Sequence, residues 1–336
     1  MNAPAASPPR KSPLGTVLRA VAALALLAVV FTRVPLADLR DRFAHIRLTD
    51  AALMIGVAVV QWTVGVTRWW RLFPRLAERP SFRAIYGDLL VGALFNTFLP
   101  TNVGGDVIRA YRASRRLTNG YHAWSSALFE RLVGLLTLAI AGAMAAVFLI
   151  GDALPARARI VVVVMTFVIA AMLLLASTPL RLLVRILEKR LSSAVVSDLR
   201  GVVADLEGPL ATAPARLETF AWSFLGYSIG LGYVMLAAHA LGASGHGYAV
   251  LVGIPIISVL SLAPVSLGGH GLREGLFVVV LGMLAVPRDV ALGLALLALA
   301  YNVFFALLGG VVALVEPTPP AKPPTEPPTP EAAPAR

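Results

Sequence analysis

The chain has 336 residues, 58% of them hydrophobic and only 14% charged, and a mean hydropathy of +0.79; a soluble domain is about one quarter charged, so these values describe an integral membrane protein. With no cysteine, disulfides, thiol catalysis and thiolate metal sites are excluded. The net charge of +11 does not read as nucleic-acid binding, because the 26 Arg and 3 Lys fall in loops between apolar runs, where they record membrane orientation.

Residues 1–13 are Pro- and Ala-rich and read as disordered. The first apolar run, 14–31, follows basic residues, but no small-x-small cleavage site comes after it, so it reads as an uncleaved span. Further apolar runs cover 51–66, 123–150, 160–177, 218–241 and 290–315. A span needs about 20 largely apolar residues, and these six are read as full transmembrane helices. The run at 51–66 extends to Trp69 and Trp70, a pair suited to an interfacial aromatic anchor. Residues 181–199 place apolar side chains at helical spacing between Arg and Lys. They read as an amphipathic helix on the cytoplasmic surface, for anchoring or for binding anionic lipid. The tail, 316–336, is Pro-rich and reads as flexible. One transmembrane domain, 14–315, is therefore expected.

Two segments, 85–99 and 248–262, are apolar but too short, and each runs into a Pro and Gly cluster. Segments of that length are often re-entrant. Each is followed by a second piece, 106–117 and 271–286, so each pair is read as a hairpin that enters and leaves on one side. With a cytoplasmic N-terminus, this topology puts 20 Lys/Arg inside and 7 outside. Letting the short pieces cross fully gives 11 inside and 16 outside. The positive-inside rule favours the hairpins and places both termini in the cytoplasm.

The clusters repeat. Pro100, Gly104, Gly105, Asp106 and Arg109 align with Pro264, Gly268, Gly269, His270 and Arg273 as P-x-x-x-G-G-[DH]-x-x-R, 164 residues apart. The same offset carries 51–66 onto 215–230 and residue 123 onto 287, each close to another span. Two copies, about 14–150 and 160–315, inserted in opposite orientation, would form an inverted repeat with a midplane site built from broken helices. Bare backbone is tolerated there only inside protein or beside a water-filled cavity. Asp106 is placed to cap a returning helix starting near Val107. Helix N-termini carry free N–H groups and about half a positive charge, which favours anions, and Arg109 and Arg273 lie about one turn further on. The competing reading is an eight- or nine-span protein with ordinary surface loops, in which Arg109, Arg112, Arg115 and Arg116 reach lipid headgroups.

Asn96, Pro100, Gly104, Gly105, Asp106 and Arg109, then Pro264, Gly268, Gly269, Gly271, Arg273 and Glu274, resemble the lysylphosphatidylglycerol synthase transmembrane-region family, a flippase-like membrane domain, over roughly residues 14–315. The resemblance implies a polytopic bacterial inner-membrane protein that moves a lipid or lipid-linked group between leaflets. Bifunctional members add a large soluble aminoacyl-transferase domain. The longest loop here is about 40 residues, so lysyl transfer is not implied.

The candidate substrate-binding residues are Asn96, Asn102, Gly104, Gly105, Asp106, Arg109, Ser266, Gly268, Gly269, His270, Arg273 and Glu274. Other intramembrane polar groups are Asp88, Glu130, Arg131 and Asn302. Asp88 and Asn96 lie about two turns apart and are expected on one face. Arg131 is expected to pair with Asp106 or Asp88, since charges buried in membrane usually pair. His239 reads as interfacial, His270 as titratable near neutral pH, and Asn302 as a helix–helix hydrogen-bonding residue. Three functions fit: an anionic-lipid translocase, an ion-coupled solute transporter using Asp88, Glu130 or His270, and a membrane-embedded transferase using a lipid-phosphate donor. The transferase would use Asp88, Asp106, Glu130 or Glu274, yet no D-x-D, H-E-x-x-H or P-loop occurs. The translocase reading is preferred, with no enzymatic activity, cofactor, metal or nucleic acid. Its expected partners are anionic membrane lipids, together with a second copy of the chain or a lipid-modifying enzyme.

Overall fold

The computed structural model describes residues 36–98, 104–145, 160, 164, 177–188, 192–261 and 272–316. Every element in them is helical. In chain order they are α1 (Leu36–Ala44), α2 (Leu48–Trp70), α3 (Phe82–Phe98), α4 (Gly104–Ser114), α5 (Tyr121–Met144), α6 (Ser177–Leu187), α7 (Ser193–Glu207), α8 (Ala213–Ala240), α9 (Gly247–Leu260), α10 (Leu272–Met283) and α11 (Arg288–Val315). Short 3₁₀ turns precede α3 (Phe73–Leu76) and α9 (Ser244–His246).

Among the described residues, four helices are long and apolar enough to cross a membrane: α2 with its 3₁₀ extension, α5, α8 and α11. They match four of the six expected spans. The other two, 14–31 and 160–177, fall outside the described residues, apart from Ile160, Val164 and Ser177, as do the N-terminus 1–13 and the tail beyond Glu316. α4 has 11 residues. At about 1.5 Å per residue it is some 16 Å long, about half of the ~30 Å hydrocarbon core. α10 has 12 residues and is similarly short.

α3 and α4 form a hairpin whose open ends meet. Glu78, just before α3, accepts a hydrogen bond from the Asn119 amide, just after α4, at 2.9 Å. Asp88 on α3 receives Arg112 Nε at 2.8 Å from α4 and Arg116 Nε at 3.1 Å from just beyond it. α9 and α10 also pack against each other, with Gly253 close to Leu281. Pro255 sits inside α9, which neighbouring helices make tolerable.

A shift of 164 residues carries α2, α3, α4 and α5 onto α8, α9, α10 and α11, with starts agreeing within four residues. The packing obeys the same exchange. α3 lies on α11 and α9 on α5, while α4 meets α5 and α10 meets α11. The equivalent helices α2 and α8 run antiparallel: Gln61 bonds to the Gly226 carbonyl at 3.3 Å, Arg68 to Ser223 at 3.1 Å and Arg71 to Glu218 at 2.6 Å.

The loops sort to two ends. At one end Arg42 pairs with Asp289 and donates to the Leu241 carbonyl at 2.8 Å. At the other, Arg71 and Arg75 hold Glu218, Arg116 lies 4.0 Å from Glu316, and His122 and Ser125 both contact Asp205 on α7. These sets coincide with the segments that charge counting assigned to opposite sides. Apolar side chains such as Leu53, Ile55, Val60, Phe224, Leu307 and Val311 remain on the outside, as lipid contact requires.

Two local expectations need correction. The amphipathic stretch 181–199 is not one helix: α6 ends at Leu187, and Ser192 caps a new helix through the Val195 amide. Ser192 and Ser193 favour a cap over helix interior because their hydroxyls satisfy first-turn amides. Trp69 is not an interfacial anchor. It is fully buried, and its indole donates to Ser126 at 3.1 Å.

Candidate functional site

The first turn of α4 carries Gly104, Gly105, Asp106 and Arg109. A helix start leaves four amides without intrahelical partners. Asn96 of α3 satisfies one of them, accepting from the Gly105 amide at 2.7 Å. Asp106 does not cap, because α4 already begins at Gly104. Its carboxylate instead takes Arg109 Nε at 2.9 Å and Arg131 Nη1 at 2.8 Å. Gly105 is fixed by the crossing of the hairpin, since a Cβ there would run into the Gly92 carbonyl and the Asn96 side chain.

Arg109 is almost wholly buried. Its guanidinium stacks over the Trp69 ring at 4.6 Å and pairs with Glu130 at 2.6 Å. Glu130 also receives Arg68 Nε at 2.9 Å, and Arg68 reaches Ser223. A chain of alternating charge, Arg68–Glu130–Arg109–Asp106–Arg131, therefore ties α2, α5 and α4 together and touches α8. Glu130 and Arg131 hold different partners, as adjacent helix positions should.

This network forms one wall of a cavity of about 610 Å³. The lining also includes Arg273 from α10, with Tyr301, Asn302 and Phe305 from α11. The two arginines of the repeated motif, 164 residues apart in sequence, thus line one space. Among the described residues the charged lining is four arginines (68, 109, 131 and 273) and two carboxylates, Asp106 and Glu130, a net cationic set. The first three arginines are paired. Among the described residues Arg273 makes no hydrogen bond or ion pair, and lies 5.9 Å from the Phe277 ring.

Residues 16–310 match the family described as lysylphosphatidylglycerol synthase TM region. The chain belongs to this family. It is accordingly a membrane protein of a family connected with lipid modification or translocation. No curated protein and no solved structure matches the chain.

Of the sequence-named site residues, Asn96, Gly105, Asp106, Arg109 and Arg273 line the cavity. Gly104 is buried beside it, and Glu274 is buried next to Arg273. Pro100 and Asn102 of the first motif, and Pro264, Ser266, Gly268, Gly269, His270 and Gly271 of the second, lie outside the described residues. Asp88 shares the α4-facing side of α3 with Asn96, but it serves Arg112 and Arg116 and does not line the cavity. Those two arginines are therefore held by a buried carboxylate, not by headgroups. Asn302 lines the cavity and bonds the Ala298 carbonyl of its own helix at 3.0 Å, where a partner on another helix was expected. His239 is exposed at the bundle end, beside Ser244. Among the described residues no three His, Asp or Glu side chains are placed to share a metal ion.

Sequence reasoning missed Arg68, Gln61, Trp62 and Tyr227, all in the lining. Arg68 follows the apolar run 51–66 and is one of the 20 Lys/Arg that the hairpin topology counts as inside. It lies in the last turn of α2 and turns inward to Glu130. The available signal was an Arg still inside helical periodicity, beside a Glu in another span that needed a partner.

Proposed function

We propose that this protein is a multi-pass inner-membrane translocase that carries an anionic lipid or lipid-linked group between leaflets without altering it covalently. The carrying observation is that Arg109 and Arg273, equivalent positions of the two copies, line a single net-cationic cavity. Membership of the family supports a lipid-related role. The antiparallel run of α2 and α8, the shortness of α4 and α10, and the joined ends of the α3–α4 hairpin support an inverted repeat with two re-entrant hairpins. Both termini are then cytoplasmic by the positive-inside rule. A soluble anion could use the same charges. The lipid reading is favoured by a shallow apolar groove on the outer face of α2, lined by Leu53, Val57 and Val60 with Ile229 of α8, which suits an acyl chain.

The test is leaflet exchange of acyl-labelled phosphatidylglycerol in liposomes. Protein should accelerate exchange over protein-free liposomes. Gly65 lines the cavity, and a Cβ there meets nothing within 4 Å. Gly65→Phe should fill the space and abolish exchange in a protein that still elutes as a folded species. Exchange equal to wild type in that variant would overturn the proposal.

A further inference from the structure

The two copies correspond in the order of their helices but not in charge. The positions corresponding to Asp106 and Glu130 in the second copy are His270 and Leu294. Arg109 therefore has two carboxylates and Arg273 has neither counterpart. Two further cavity-lining groups stand out. Trp62 Nε1 and Tyr227 Oη are buried and have no hydrogen-bond partner among the described residues. Trp62 cannot readily turn elsewhere, because its ring is stacked on Phe305 at 4.3 Å. The indole N–H only donates, and a phenol readily donates. A buried donor without an acceptor is costly, so an acceptor supplied by a ligand is favoured.

We propose that Arg273, Trp62 and Tyr227 are the donors that recognise a phosphate oxyanion, and that Arg109 builds the cavity without binding the ligand. This rests on the cavity being the transport site of the preceding reading. A phosphate ester offers only oxygen acceptors at its charged end, which matches the donors that Arg273, Trp62 and Tyr227 bring to the lining. An ammonium group would meet carboxylates already occupied by arginine. The fork of Arg273 suits two oxygens of one phosphate.

The experiment measures binding, not transport. Full-length protein in an uncharged detergent is titrated with dioctanoyl-phosphatidylglycerol, with glycerol phosphate and with dioctanoylglycerol, reading tryptophan fluorescence and the unfolding temperature. Wild type should bind the phospholipid and not dioctanoylglycerol. Arg273→Ala should weaken binding by about tenfold or more, the range for hydrogen bonds to a charged group, and Arg273→Lys should recover part of it because a point charge lacks the fork. Trp62→Phe keeps the ring stack, and Tyr227→Phe keeps the ring. Each should lose about threefold to tenfold, the span of a neutral hydrogen bond, at an unliganded unfolding temperature equal to wild type. These two carry the test if Arg273→Ala fails to fold. Unchanged affinity in the Arg273 and Tyr227 variants, or equal binding of dioctanoylglycerol, would overturn the proposal. Glycerol phosphate binding as tightly as the lipid, with the same dependence on Arg273, would uphold the oxyanion site and remove the lipid from the preceding reading. Arg273-dependent binding alongside undiminished exchange in Gly65→Phe would uphold the site and overturn the translocase.

Discussion

Arg109 and Arg273 occupy the same place in two copies of one motif, yet they keep different company. Arg109 has Trp69 beneath it, Asp106 one turn before it and Glu130 across from it. Removing one partner of a buried ion pair leaves the other charge uncompensated, at a cost of about 3–5 kcal/mol. Arg109→Ala should therefore lower the unfolding temperature sharply in detergent, and Glu130→Gln should do likewise. A full-length Arg109→Ala protein as stable as wild type would mean the pairing is not structural. From sequence, the partner of Arg131 was narrowed to Asp106 or Asp88. The structure gives Asp106, because Asp88 is enclosed by Arg112 and Arg116. Which carboxylate is free depends on how α3 and α4 face each other, and spacing within either helix does not contain that.

Helix by helix, small residues decide where the elements touch. Gly92 and Gly105 let α3 and α4 cross, and Gly309 on α11 lies against the Leu90 carbonyl of α3. Such close approaches are the usual way helices associate where lipid removes the hydrophobic drive. Gly105→Ala pushes a methyl into backbone that cannot move aside, and overpacking of this kind costs about 1–3 kcal/mol. Asn96→Ala removes the acceptor for the Gly105 amide, a cap worth about 1 kcal/mol. Both should be measured by thermal unfolding, and Asn96→Asp should retain most of the stability because it keeps the acceptor. If Asn96→Ala costs nothing, the cap is supplied from elsewhere. The paired glycines were visible in the sequence as a motif. Their packing partners were not, since Gly92 and Leu90 lie outside it.

For the whole molecule, the absence of cysteine makes topology directly measurable. Cysteines introduced singly at Arg79 and Thr118 flank the first hairpin, while Asp41 and Ser244 lie toward the opposite end, at or beside the ends of α1 and α9. In oriented membranes, an impermeant thiol reagent should label Arg79→Cys and Thr118→Cys from one side, and Asp41→Cys and Ser244→Cys from the other. Labelling of Arg79→Cys and Thr118→Cys from opposite sides would mean that the segment between them crosses the membrane an odd number of times, and the re-entrant reading would fail.

Hydropathy, the 164-residue offset and the placement of Arg and Lys were enough to give the membrane class, the four described spans, the helix starts that recur at that offset and which loops share an end. Each of these depends on local composition or on one-dimensional order, which the chain carries in itself. The tertiary structure alone decided that Asp106 pairs and does not cap, that Trp69 and Arg68 turn inward, and that Trp62 and Tyr227 face the cavity beside Arg273. The reason is physical: the partner of a buried charge or donor is whatever another helix brings within about 3 Å, and that distance is set by the crossing of helices far apart in sequence.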